Sequence, residues 1–290
     1  MTTDAPRPGT VQCLSPSGMH RMAYVEWGAP DNPNALICVH GLTRVGRDFD
    51  RFARALADRY RVVCPDVVGR GRSDWLRDPN GYVLPQYVAD MVTLVARLGV
   101  ESVHWLGTSM GGLIGLTLAG QPGSPIKRLV INDVGPRVNP DGIARIGEYV
   151  GKPVRFATLD AAIDYITLIS LGFGLRSRDE WREITQSVLK PDSDGFILHY
   201  DPKLALPLKA MTPQLAAASE AALWKFYDQI QCPTLIVRGE KSDLLSRETA
   251  TEMTQRGPRA KLIEFAGIGH APMFFDTAQI AAVREFLLQA

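Results

Sequence analysis

The residues best suited to chemistry in this 290-residue chain cluster in the run VHWLGTSMGGLIG, Val103 to Gly115. Ser109 lies there between Gly107 and Gly111, at the point where an apolar strand pattern, SVHWLG, gives way to a helix pattern, SMGGLIGLTLAG. A serine on so sharp a strand-to-helix turn adopts strained backbone angles, and flanking glycines remove the side chains that would clash there. The turn presents a hydroxyl above the start of a helix, whose unsatisfied N–H groups carry partial positive charge. A serine hydroxyl is a poor nucleophile until a base takes its proton, and imidazole titrates near neutral pH. His270 lies in the glycine-flanked loop GIGHAP. Asp243 lies in GEKSDLLS and Asp133 at the end of the strand pattern LVIND.

The surrounding elements are legible from hydrophobic period. ALICVH, RVVCPD, SVHWLG and IKRLVIND are short, nearly continuous apolar runs, the pattern of strands buried on both faces. They alternate with helical patterns, one through Phe49, Phe52 and Leu56 and a longer one through Val88, Met91, Val92, Val95 and Leu98 that Gly99 ends. Alternating strands and helices predict a mostly parallel central sheet with helices on both faces, an α/β fold. TVQCLS and HRMAYVEWG predict an antiparallel opening pair. From Pro136 to Asp228 the pattern turns helical and loop-like, with a Ser-x-x-Glu capping box at Ser177 and Glu180. The α/β rhythm returns with PTLIVRG, a helix after Ser246, AKLIEF and a last helix capped by Asp276. The expected organisation is a core over 1–135, a helical cap over 136–228, and the rest of the core over 229–290.

Taken together these motifs resemble the α/β-hydrolase fold family over nearly the whole chain. His40-Gly41 follows a buried strand as in the family's oxyanion loop, and DVVGRGRSD, Asp66 to Asp74, is similar to the family's Asp-x-x-Gly-x-Gly-x-Ser segment. The order Ser, Asp, His along the chain is the family order. The resemblance implies Ser109 as nucleophile, His270 as general base and then acid, and Asp243 as the orienting carboxylate, with Asp133 the competing acid. It implies an oxyanion hole from the backbone N–H groups of Leu42 and Met110. His40 is expected to hold the oxyanion loop, Asp66 and Ser73 to brace the next one.

Serine at position 109 argues against the family's aspartate-dependent dehalogenases and epoxide hydrolases. The implied reaction is hydrolysis of a carboxylic ester, thioester or lactone through an acyl-enzyme. The alternatives are carbon–carbon bond hydrolysis of β-diketone-type ring-fission products, a haloperoxidase-like perhydrolase, or a ligand receptor on the same fold. Substrate choice is expected to sit in the cap, where Tyr149, Phe156, Tyr165, Phe173, Trp181, Phe196 and Trp224 supply aromatic side chains. Arg44, Trp181 and Trp224 are the candidate substrate contacts, although surface solvation is the simpler fate for Arg44 and Arg47.

The totals fit such an enzyme. Hydrophobic residues make up 46% and charged residues 22%, enough for a sizeable core. A net charge of +1 gives no overall field toward nucleic acid or anionic lipid. The expected partner is a small ester-like molecule, with no nucleic acid, no membrane span and no reading of oligomeric state. No spacing points to a metal, nucleotide or other cofactor. The four cysteines sit in or beside apolar runs and read as small buried thiols, and MTTDAPRPGT lacks the charged and apolar regions of a signal peptide. Both favour a cytoplasmic setting.

Overall fold

A computed structural model describes residues 5–289; residues 1–4, the start of the N-terminal stretch considered above, and 290 lie outside the described residues. The chain opens with β1 (Arg7–Ser15) and β2 (Gly18–Trp27), an antiparallel pair, and continues with β3 (Ala35–Val39), α1 (Asp50–Leu56) and β4 (Arg61–Pro65). Then come α2 (Leu84–Leu98), β5 (Val103–Thr108), α3 (Met110–Ala119) and β6 (Ile126–Asn132). After a long excursion the sheet resumes with β10 (Thr234–Gly239), α9 (Arg247–Gln255), β11 (Lys261–Phe265) and α10 (Thr277–Leu288). The eight strands lie in the order β1-β2-β4-β3-β5-β6-β10-β11; β1 to β2 and β2 to β4 are antiparallel and the remaining pairs parallel.

Period two explains why the central strands read as unbroken apolar runs. In β3, Ala35, Ile37 and Val39 join the core on one sheet face while Leu36 and Cys38 join the core on the other. Residues of α2 and α3 belong to the first core, and those of α1 and α10 to the second. α2 ends on Gly99 in the left-handed region, at φ 68°.

The excursion contains α4 (Pro140–Gly147), β7 (Arg155–Phe156), α5 (Leu159–Ile169), α6 (Arg178–Ser187), β8 (Leu189–Asp192), β9 (Gly195–Leu198), α7 (Ala205–Lys209) and α8 (Pro213–Asp228). The capping box at Ser177 and Glu180 is present, with the Glu180 carboxylate accepting from the Ser177 backbone N–H. Two features differ from the helical reading. β7, β9 and β8 form a small antiparallel sheet. In addition, α8 packs on α3, and its Leu223, Trp224 and Tyr227 belong to the main core. A separate apolar cluster of Ile163, Ile166, Trp181, Ile184 and Val188 holds α5 and α6 together and reaches Val45 and Met273 of the core loops.

Among the described residues no helix is long and apolar enough to cross a membrane. All four cysteines are free; Cys13, Cys38 and Cys64 are buried and Cys232 partly so.

Candidate active site

Ser109 sits between β5 and α3 with φ 52° and ψ −116°, a conformation that side chains rarely adopt. The glycines around it are required by contact as well as by angle. A Cβ on Gly107 would overlap the Gly111 carbonyl, and one on Gly111 would overlap the Val39 carbonyl oxygen. The turn is pinned by the Ser109 N–H donating to the Asn132 carbonyl at 2.9 Å.

A line of hydrogen bonds runs inward from the serine. Ser109 Oγ lies 3.0 Å from His270 Nε2, and His270 Nδ1 lies 2.8 Å from Asp133 Oδ2. Asp133 is fully buried at the end of β6, itself at φ 58°. Its Oδ1 accepts the Gly239 N–H at 2.8 Å, and its Oδ2 also accepts the Ser242 hydroxyl at 2.6 Å.

Asp243 does not join this line. Arg145 of α4 holds it bidentately at 2.5 and 3.0 Å, and both side chains are more than a third exposed. Burial alone would push the Asp243 carboxyl up, but its hydrogen bonds and ion pair with Arg145 outweigh that and hold it below the usual range. The expected pairing of Asp243 with His270 is therefore corrected: the aspartate facing Nδ1 is Asp133. The loop after β10 instead supplies Ser242 and the Gly239 N–H as donors to it.

The residues named for the oxyanion hole come from the loop after β3 and from the start of α3. Leu42 lines the cavity over Ser109, and Met110 begins α3, so its N–H has no acceptor within the helix. His40 braces the loop as expected: Nδ1 donates to the Gly41 carbonyl at 2.7 Å while Nε2 accepts the Val67 N–H at 2.9 Å. Complete burial pushes His40 down to about 3, which keeps the ring neutral. Asp66 accepts from the Gly46 and Arg72 N–H groups, and Ser73 joins the Asp66 carbonyl to the Ala23 N–H, so both brace their loops.

Sequence reasoning missed Arg70. It is fully buried, donating from Nε to the Leu42 carbonyl at 2.8 Å, from Nη1 to the Val68 carbonyl at 2.7 Å and from Nη2 to Met110 Sδ at 3.2 Å. Its position inside the glycine-rich DVVGRGRSD was the available signal, but an arginine there reads as solvated.

The substrate-contact candidates separate. Arg44 lines the cavity, buried rather than solvated, with Nε and Nη2 each 2.6 Å from Asp48. Trp181 does not line it; it stacks on Phe173 within the α5–α6 cluster. Trp224 packs edge-on to Tyr227 in the main core, beneath Arg256, and is likewise corrected. Of the aromatic set, Tyr149 and Phe173 reach the cavity, whereas Phe156 and Tyr165 pack on each other. Ile166, Val188, Leu198 and Met273 make most of the remaining wall apolar.

Among the described residues one grouping, Cys13, His20 and Asp90, has atoms close enough to hold a metal ion. It is buried among β1, β2 and α2, and Asp90 already accepts from Gln86 at 2.7 Å and pairs with His20 at 3.0 Å.

The alpha/beta hydrolase fold family model matches residues 34–277, and the chain belongs to that family. Along its length it is similar to a 3-hydroxybutyrate-oligomer hydrolase of Cupriavidus necator, 56% identical over 99% of each chain. An α/β hydrolase from Novosphingobium aromaticivorans, 34% identical, superposes with a TM-score of 0.85 over 97% of this chain and 98% of that one. An esterase from Mycobacterium tuberculosis, 21% identical, shares the fold with a TM-score of 0.71 over 98% of this chain and 92% of that one.

Proposed function

We propose that this ester hydrolase cleaves short 3-hydroxybutyrate oligomers, with Ser109 as nucleophile, His270 as base and acid, and Asp133 as the orienting carboxylate. The observation that carries the chemistry is the unbroken line from Ser109 Oγ through His270 to buried Asp133. Support for the substrate is the full-length similarity to the Cupriavidus necator enzyme. Within residues 136–228, the part before α8 is read as the cap, because Tyr149, Ile166, Phe173 and Val188 from it close the cavity over Ser109, while α8 packs on α3 in the main core.

In the first half-reaction the Ser109 oxygen attacks the ester carbonyl carbon while His270 Nε2 takes its proton. Asp133, accepting from Nδ1–H, fixes the tautomer that leaves Nε2 free and stabilises the imidazolium. The carbonyl oxygen gains a negative charge met by the N–H groups of Leu42 and Met110. The C–O bond to the leaving unit then breaks, and His270 returns the proton to its alkoxide oxygen. In the second half water attacks the acyl-enzyme, His270 takes and returns one proton, and a carboxylic acid leaves Ser109 free.

The apolar cavity walls suit the methyl and methylene groups of a 3-hydroxybutyrate chain. A cytoplasmic setting belongs to the same proposal, supported by four unpaired cysteines and tested by cell fractionation. The substrate reading is tested by incubating the purified protein with 3-hydroxybutyrate dimer and trimer and following monomer by chromatography. Release of monomer at a kcat/KM above that for p-nitrophenyl butyrate supports it. Hydrolysis of the p-nitrophenyl ester with no action on either oligomer removes the substrate while leaving the ester chemistry.

A further inference from the structure

We infer that Arg44 forms a carboxylate subsite that directs cleavage to the ester bond next to the free acid end of the substrate; this rests on the ester-hydrolase reading above. Arg44 is held rigidly. Its Nε and Nη2 are clamped by Asp48, and Nη2 also donates to the Ile184 carbonyl of α6 at 2.9 Å. That leaves Nη1 with no acceptor among the described residues, in a side chain only 10% exposed that borders the catalytic cavity. An arginine fixed by one carboxylate and still carrying an unused donor is pre-organised for a second. The stem also starts beside the nucleophile: a methyl group on Gly41 would stand 3.7 Å from Ser109 Cβ and 3.8 Å from Arg44 Cγ.

The chemistry of the substrate fits that short reach. In a 3-hydroxybutyrate oligomer the free carboxylate lies only a few bonds from the carbonyl of the last ester linkage. With that linkage at Ser109, the carboxylate extends toward Arg44 and the leaving unit is one 3-hydroxybutyrate. Ile166 and Val188 line the same cavity with apolar side chains, and a pair formed in so apolar a site is stronger than one in water. Arg145 borders the same cavity, but Asp243 occupies its fork and water reaches over a third of its side chain.

The readout is the ratio of kcat/KM for the free-acid dimer to that for its methyl ester. The intact protein should favour the acid by ~10-fold or more, the range of a charge-assisted hydrogen bond. Arg44→Met should bring the ratio to about one. Because that change strands Asp48, the pair Arg44→Met with Asp48→Asn is measured alongside it, with the same ratio expected. In a trimer labelled in its acid-terminal unit, the labelled monomer should leave first. A ratio preserved in both variants, a ratio lost in Arg145→Met instead, or labelled and unlabelled monomer appearing together overturns the subsite. Failure of all esters to react in the intact protein overturns the ester reading itself, so the two failures are distinct.

A second inference has an independent basis: we propose that Arg70 is a positioning residue for the oxyanion hole and the source of its field. A fully buried guanidinium normally has a carboxylate, yet among the described residues none lies within ion-pair distance of Arg70. Its donors end on Leu42 and Val68 carbonyls and on Met110 sulfur, with the rings of Tyr87 and Tyr82 5.0 and 5.9 Å away. It thus holds both residues proposed as oxyanion donors, and the negative charge it lacks arises next door when the tetrahedral intermediate forms.

Arg70→Met should lower kcat ~100-fold with KM within about threefold, as losing an oxyanion donor does. Affinity for an alkyl boronic acid, which forms an anionic adduct on serine, should weaken by the same factor, and affinity for neutral butyramide much less. Should Arg70→Met fail to fold, Arg70→Lys, which keeps the charge, is read by the same boronate-to-amide ratio and should recover part of it. Equal weakening of both ligands, or kcat within a few-fold of the parent, overturns the assignment.

Discussion

Replacing Asp133 by Asn changes only one oxygen, and the structure says where the new amide group must go. Oδ1 receives the buried Gly239 N–H, so the amide oxygen has to stay on that side. The NH2 then faces His270 Nδ1, now 2.8 Å from Oδ2, and Nδ1 must become an acceptor. That forces the ring proton onto Nε2, 3.0 Å from Ser109 Oγ, where it blocks proton removal from the serine. A fixed wrong tautomer costs ~10⁴-fold in kcat, about 5.5 kcal/mol of barrier. Asp243→Asn only weakens a pair with Arg145 that water screens, a change of ~1 kcal/mol or less, so kcat should stay within about tenfold. Both variants are assayed with p-nitrophenyl butyrate, and circular dichroism melts confirm folding. A nearly active Asp133→Asn beside an Asp243→Asn reduced by three orders of magnitude refutes the tautomer argument.

The split between these aspartates shows where sequence stops. Ser109 and His270 could be recognised because each sits in a local pattern, a glycine-flanked turn and a glycine-flanked loop. The acid could not, since β6 and β10 are adjacent parallel strands and each ends in a loop with an aspartate. Which one reaches the imidazole depends on side-chain direction, and Arg145 from α4 decides the fate of Asp243. Buried strands and capped helices of the core announced themselves by period, and Gly99, Ser177, Ser246 and Asp276 mark helix ends as their types predict. The sheet of β7, β8 and β9 did not, because its strands span two to four residues, too short for alternation to register. Trp181 and Trp224 misled for the opposite reason: large aromatics in a helical segment serve its packing as readily as a ligand.

Gly111→Ala should abolish soluble expression or destabilise by ~3 kcal/mol or more, since the added methyl meets the backbone carbonyl of Val39 and cannot be relieved by a side-chain rotation; a variant melting within 2 °C of the parent contradicts the close approach at the turn. Stability should fall on acidification. Burial pushes His40 down to about 3, and burial with the Arg128 charge pushes His104 down to about 4. Below the unfolded value of 6.5 the unfolded chain therefore takes up protons that the folded chain refuses, and stability drops from pH 6.5 toward 4 by an amount on the order of a few kcal/mol. Urea unfolding at pH 7, 5.5 and 4.5 measures this, and His104→Gln should show a shallower fall; equal slopes remove the His104 contribution.

The central claim is that an acyl group passes through the oxygen of Ser109. Rapid acid quenching during turnover of 3-hydroxybutyrate dimer, followed by mass spectrometry of the digested protein, tests it. A 3-hydroxybutyryl mass increment on Ser109, absent from a folded Ser109→Ala variant whose kcat is lowered by ~10³-fold or more, is the predicted result. Steady turnover with no adduct on that residue, and a Ser109→Ala variant that still hydrolyses the dimer at a comparable rate, would contradict it.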